Sequence, residues 1–412
     1  MDNYYQPNNK RRKYAHLLWV IFCSFLLMGC KPVSKEARDW CIKASESFNL
    51  YPIVHKGLVV LAGKCGNADC LKAVRMDTGA PVWNWLDSDS ILHKSYYNLK
   101  HYIFDDVLLL PIGSRLIAIS LADGNTLWQD QRSWPAESFV EGTGSRALRT
   151  YYDQENRVAR ILAFDVYSGV AREIKTFSLP AEGRLSARTP VAAVLDGKDT
   201  ICISSTIHFI PNINTRSRLI FWHLNNPSFQ ETIEVYPDNL SVDGVTKQGI
   251  VDGTRSYWAA GNQVVCIDLE NRKELWRDTF PQDMLTSRLL LDNGQLFYAC
   301  ENEVLYALEA ENGQIRWQCP IAGTPSRVYV DKGKVFLVGG SDGKLYVIDR
   351  NSGRLLFKYQ PASLGFENGN SFRRAFYAGD DKLIVTDYKS WRAFHISENG
   401  WIEMNGDNAG NR

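Results

Sequence analysis

A chain of 412 residues with 47 Lys and Arg against 46 Asp and Glu has a formal net charge of +1. It shows no long basic run beyond its first residues, so it lacks the electrostatic footprint of a nucleic-acid binder. Its length would ordinarily imply two or more domains, yet nothing along it reads as a linker.

Residues 1–29 stand apart from the rest. Lys10-Arg11-Arg12-Lys13 is a basic n-region, followed by an apolar run from Leu17 to Leu27 that is shorter than the ~20 residues a spanning helix needs. The run ends in Leu27-Met28-Gly29-Cys30, which resembles the bacterial lipobox, with Met28 an uncommon second residue. The resemblance implies cleavage before Cys30, its acylation, and a stable membrane attachment without a spanning helix. Lys31 after the cysteine implies sorting to the outer membrane of a Gram-negative bacterium, with the protein facing the periplasm. Removal of residues 1–29 takes four basic and one acidic residue and moves the net charge from +1 to −2. Residues 30–48 are expected to form a lipidated tether, with a second possibility open, that they supply an outer strand to the last repeat.

From residue 49 to 405 a single phrase recurs: a small or apolar residue, a Gly six positions on, a Trp ten positions on. Ala73-Gly79-Trp83, Ala118-Gly124-Trp128 and Ala307-Gly313-Trp317 are the clearest copies. Val347-Gly353-Phe357 is close, Ala163-Gly169 has Glu173 in the Trp slot, and Cys266 with Trp276 has Arg272 in the Gly slot. Phe221 and Ala393 mark two degenerate copies. The eight anchors lie 45, 45, 58, 45, 41, 40 and 46 residues apart. A period of ~40–45 residues built of short strands is the mark of a β-propeller. The fold class read from it is all-β, an eight-bladed propeller of four-stranded antiparallel blades.

The seventh unit shows why. Arg327-Val328-Tyr329-Val330, Lys334 to Val338, Lys344 to Ile348 and Arg354 to Phe357 are four β-rich runs, separated by Gly-containing turns of hairpin type. The spacing puts the small anchor on the third strand and the Trp on the outer fourth. Trp83, Trp128, Trp276, Trp317 and Phe357 are expected to dock on an adjacent blade where a small residue leaves room, each worth about 2–3 kcal/mol. Blade four is the irregular one. Pro227 occupies its Gly slot, and the longer interval before it places residues 180–198 in an expected loop. The polar end, residues 406–412, reads as a tail.

Cys65 and Cys70 flank a four-residue turn in the blade-one hairpin and could bridge it in an oxidising compartment. Cys41, Cys202, Cys266, Cys300 and Cys319 leave an odd count; Cys202 and Cys266 fall in strand cores, where a buried thiol is expected. Three catalytic patterns fail on context. Gly339-Gly340-Ser341-Asp342-Gly343 lies between two strands, not at a strand-to-helix elbow. Gly142-Thr143-Gly144-Ser145-Arg146-Ala147 precedes a strand, so no helix N-terminus would hold a pyrophosphate. Asp87-Ser88-Asp89-Ser90 lacks the turn Gly and closing Glu of a calcium loop. His55, His93, His101, His208, His223 and His395 show no metal-ligand spacing. No catalytic residue, cofactor or metal ligand is assigned.

The repeat, with an Asp between its anchors as in Asp77-Thr78-Gly79, resembles that of the pyrroloquinoline-quinone-like propellers. That family holds both dehydrogenases and cofactor-free scaffolds, so fold alone does not settle activity. Length, lipobox and repeat together resemble the lipoprotein scaffold subunit of the outer-membrane β-barrel assembly machinery. The resemblance implies a non-enzymatic platform, held to the membrane through Cys30 and gripping another protein, a barrel-assembly component, through residues that the sequence does not identify. Two alternatives stay open. One is a quinoprotein dehydrogenase or ligand-binding propeller, although no adjacent Cys pair is present. The other is a specialised lipoprotein that binds or inhibits a secreted toxin.

Overall fold

The structure is a computed structural model and describes residues 40–45, 50–87, 101–112, 115–131, 140–153, 156–178, 184–187, 190–195, 199–210, 213–228, 230–236, 249–260, 262–281, 289–300, 302–366, 371–399 and 402–403. Residues 1–39 and 404–412 lie outside them, and with them Cys30 and the C-terminal tail. The strands form eight separate antiparallel sheets. Seven take their strands in sequence order, from an inner strand next to the axis to an outer one at the rim. Blade seven, for example, runs Tyr329–Asp331, Lys334–Val338, Leu345–Asp349 and Leu355–Tyr359. Eight apolar clusters fill the seams, one between each pair of neighbouring blades, including one that joins blade eight to blade one. The ring is closed.

Closure uses both ends of the chain. Cys41–Lys43 pairs antiparallel with one half of the blade-eight strand Ser390–Ile396, with Ile42 opposite Trp391. Ile402–Glu403 pairs with the other half. Cys41–Lys43, which precede residue 49, are therefore a strand of blade eight.

The docking of blade on blade has one geometry. In each regular blade the anchor faces the aromatic slot in the same sheet, as in Ala73 opposite Trp83 and Ala307 opposite Trp317, with a β-bulge just after the anchor. The indole then crosses to the next blade. Its Nε1–H donates to a carbonyl there: Trp83 to Leu121 at 2.9 Å, Trp128 to Val166 at 2.9 Å, Trp276 to Ala310 at 3.1 Å and Trp317 to Arg350 at 2.7 Å. Its ring lies on the glycine three residues further on. A Cβ built on Gly124 would come within 2.6 Å of Trp83, and one on Gly353 within 2.6 Å of Trp317. These glycines also have φ of +76° and +70°, where a side chain is strained. Room for the indole thus comes from the glycine of the next blade, while the small anchor sits beside the indole in its own sheet. Trp40 makes the eighth-to-first contact in the same way. It donates to Met76 O at 3.0 Å and lies against Gly79.

Where the phrase degenerates, other chemistry fills the rim. Between blades three and four, Lys175 Nζ donates to the carbonyl of Pro227. Between blades four and five, Glu231 stands in the Trp slot and Arg272 in the Gly slot, and the two form an ion pair. Arg272 keeps the glycine-like φ of +53°. Both seams are filled from within instead. Trp222 is fully buried between blades three and four and donates to Ser204 Oγ at 3.0 Å. Trp258 does the same between blades four and five, donating to Ser256 Oγ at 3.0 Å and lying on Gly249.

Blade four is complete, which corrects the expected loop over residues 180–198. Arg184–Ala187 and Val191–Leu195 are strands that follow one another along the same edge of Asp199–Ile210. That strand and its partner Ile213–His223 are 12 and 11 residues long. Two short strands are needed to cover so long an edge. Val191 and Ala193 are buried against Ile201 and Ile203, which fixes the second of them.

Two outcomes test this account. Trp40→Ala and Trp317→Ala should each lower unfolding stability by about 3–5 kcal/mol, the range for core aromatic truncation, measured by urea denaturation; an unchanged midpoint would remove the docking role. Reversing one partner, as Glu231→Arg or Arg272→Glu, should cost about 0.5–1 kcal/mol because the pair is partly exposed. The doubly reversed protein should recover most of that loss in a double-mutant cycle.

Candidate functional site at the axis and the closing seam

The inner strands of blades one, seven and eight surround a cavity of about 700 Å³ at one mouth of the axis. Its lining includes His55, Lys56, His101, Arg327, Tyr329 and Tyr377. The inner-strand hairpins place these groups. Lys56 and Asp105 sit at hairpin tips with φ of +46° and +51°. His55 Nε2 lies 2.7 Å and Lys56 Nζ 2.8 Å from Asp106 Oδ1 of blade two. The hydrogen bonds from Lys56 and then His55 hold the Asp106 carboxyl below its ordinary pKa. Across the mouth, Lys332 bridges Asp381 at 2.8 Å, and that contact raises the lysine pKa.

The wall at blades seven and eight is aromatic. Tyr329 packs edge-on against Phe376 at 4.9 Å and against Tyr377 at 5.5 Å. Burial raises the pKa of both tyrosine hydroxyls; Arg327 opposes the shift at Tyr329, while the bond to Asp380 adds to it at Tyr377. Arg327 stacks on Tyr51, with Cζ 4.2 Å from the ring centroid, and the Tyr51 hydroxyl accepts the backbone N–H of Arg327 at 3.2 Å.

On the opposite side of the seam, the second hairpin of blade one, Leu58–Cys65 with Ala68–Arg75, carries a disulfide between Cys65 and Cys70, with S–S 2.07 Å and Cα–Cα 5.9 Å. The same hairpin holds the closing segment. Ala44 bridges Gly63, Asp69 accepts from Ser45 Oγ at 2.5 Å, and Trp391 Nε1 donates to Ala62 O at 2.7 Å. Cys41 is also disulfide-bonded. Cys202, Cys266, Cys300 and Cys319 are buried thiols outside the disulfides, and burial pushes the Cys266 thiol up to about 11.

The catalytic patterns weighed in the sequence fall on strands and turns. The glycines 339, 340 and 343 form the turn between Lys334–Val338 and Leu345–Asp349. The Gly142-to-Ala147 stretch joins Val140–Thr143 to Arg146–Asp153. Asp87 is buried, while 88–90 and His93 lie outside the described residues. Among the described residues no group of three or more His, Cys, Asp and Glu side chains could hold a metal ion. Trp40, Tyr51 and Arg327 were not singled out for a role from the sequence. Tyr51 and Arg327 are 276 positions apart, and no periodic signal joins them.

Residues 222–389 match the family described as outer membrane protein assembly factor BamB, of the PQQ-repeat type. Over that stretch, less than half of its length, the chain is similar to propellers of PQQ-type repeats. A search of curated proteins finds no match to it. Among solved structures, BamB from Moraxella catarrhalis is similar over 86% of this chain and 95% of its own, with 11% identity and a TM-score of 0.56. The quinohemoprotein alcohol dehydrogenase from Comamonas testosteroni is similar over 92% and 80%, with 10% identity and a TM-score of 0.60. A computationally designed protein, Ika8, is similar over 86% and 98%, with 11% identity and a TM-score of 0.57. Identities this low establish the shared propeller ring and leave this chain's chemistry to its own residues.

The position of the disulfide makes it a brace for the hairpin that grips the closing segment. Its loss in a Cys65→Ser, Cys70→Ser double variant should cost about 2 kcal/mol, the chain-entropy value for so short a loop. Faster amide exchange should appear at Ala44 and Ser45; a loss of stability without that local opening would separate the bridge from the seam.

Proposed function

We propose that this protein is a non-enzymatic scaffold, held by lipid on Cys30 to the periplasmic face of the outer membrane, that binds another protein. The match of residues 222–389 to the outer-membrane assembly factor family carries this reading. Two further observations support it. The Cys65–Cys70 bridge suits an oxidising compartment, and a ring of eight blades offers a broad, rigid platform for partner contacts. Inter-strand loops on one face are the expected grip. The partner class suggested by the family is a component of barrel-protein assembly.

Two measurements test the proposal. Crosslinking in intact cells followed by purification should co-isolate an outer-membrane barrel protein. Recovery of one tight complex with a non-barrel protein would instead favour the specialised-lipoprotein reading. Labelled palmitate should enter the wild-type protein and not a Cys30→Ala variant, which should leave the membrane fraction; an unlabelled protein would remove the anchor. The likeness to a quinohemoprotein is one of fold, and calcium-dependent dye reduction by the purified protein would revive that alternative.

A further inference from the structure

We infer that the axial mouth is a binding site for a carboxylate carried on an apolar body, with the Arg327 guanidinium as its anion seat. The cavity of about 700 Å³ lies in the size class of small-molecule and peptide-end pockets. Three other charged groups along its wall have partners. Lys56 and His55 are committed to Asp106, and the Asp380 carboxylate accepts the Tyr377 hydroxyl at 2.6 Å. Arg327 is different. Its guanidinium lies against the Tyr51 ring, and among the described residues no carboxylate stands within ion-pair distance of it. A half-buried cation without a counter-charge is costly to retain for stability alone.

The seat is also fixed in place. Tyr51 is 4% exposed and holds Arg327 twice, by its ring under the guanidinium and by its hydroxyl on the backbone N–H. A stacked guanidinium keeps its edge of N–H donors open to a carboxylate, which it can bind in a bidentate manner at little entropic cost. The neighbouring Tyr329 hydroxyl accepts a hydrogen bond from Arg327, and burial favours its neutral form, which leaves its own O–H as a donor on the same wall.

The apolar part of the ligand follows from a second cavity. A space of about 330 Å³ between blades six and seven shares Arg327 and Tyr329 with the first and is otherwise walled mainly by Leu289, Leu290, Leu291, Val328 and Val330. Its one acid, Asp292, is committed to Arg350 at 2.8 Å. Arg327 therefore stands between a polar mouth and an aliphatic recess. That juxtaposition suits a carboxylate with an apolar group close behind it. Both the free C-terminus of a chain ending in an apolar residue and a small aryl or alkyl acid have this chemistry.

Calorimetric titration of the full-length protein in detergent tests the site with three probes: hydrocinnamate, a short alanine peptide ending in leucine with a free C-terminus, and the same peptide amidated. The free acids should bind, and the amide should bind at least tenfold more weakly. Arg327→Gln should weaken the acids at least tenfold without changing the amide, and Arg327→Lys should fall between. Equal binding of acid and amide, or no heat from any probe up to about 10 mM, would overturn the inference. If Arg327→Gln does not fold, the acid-to-amide comparison on the wild type still decides. A peptide that outcompetes hydrocinnamate identifies a chain terminus as the source of the carboxylate, and parity identifies a small acid. None of these outcomes depends on the membrane anchor or on a captured partner, so the scaffold reading stands or falls separately.

Discussion

The ring stands on one contact, an indole laid across a glycine of the following blade with its N–H on the carbonyl three residues before that glycine. The contact joins two demands that seldom coincide. The glycine must be bare to admit the ring, and it must adopt a left-handed φ to turn the hairpin that presents the carbonyl. One residue meets both, which is why spacing within the phrase is invariant while the strands around it vary. The same contact accounts for closure. Trp40, from the start of the ring, serves blade eight, whose own aromatic slot is Glu403, and it reaches Met76 and Gly79 with the geometry of the internal copies. A propeller closed in this way has no special final seam. It has one more copy of the ordinary one, assembled from both chain ends.

The two seams around blade four show what happens when that contact is lost. Glu231 and Arg272 replace an indole and a glycine with a charge pair, and Arg272 still takes the turn conformation that the hairpin needs. A partly exposed pair contributes far less than a buried indole. The deficit is offset deeper in the blade, where Trp222 and Trp258 move into the seam cores and find serine hydroxyls as acceptors. Stability is thus shifted from rim to interior on one side of the wheel. The rim there is left polar, and the same blade carries the long hairpin and the divided inner edge.

What could be read in the sequence follows from what is periodic. Ala118-Gly124-Trp128 and its relatives announced strand order, blade count and the docking aromatics, because each is repeated at one spacing. The Cys65–Cys70 bridge was legible because both residues flank one tight turn. Trp40 was not, since it precedes the first anchor and belongs to a blade whose other strands lie some 340 residues later. The strands Arg184–Ala187 and Val191–Leu195 were hidden by the stretched interval, which looks the same whether filled by loop or by sheet. Glu231 and Arg272 did carry a signal. They are complementary departures from the phrase at the two positions that meet across one seam, and reading the repeat pairwise between blades would have found them.

Tyr51 and Arg327 belong to no period, and their meeting depends on closure itself. Tyr51 lies at the entry to blade one, only a few residues beyond the closing strand, and is buried in the cluster that joins blades eight and one. Arg327 leads into the inner strand of blade seven. The two can stack only when blade eight is in place between their blades, so the axial mouth is assembled by the same event that shuts the ring. Anything that holds the closing segment, Trp40 on Gly79 at the rim or the Cys65–Cys70 hairpin on Ser45 at the far side, also holds Tyr51 beneath the guanidinium. Stability of the seam and geometry of the axial mouth are therefore one property. A change that loosens the first should be felt at the second even though no side chain of the site has been altered.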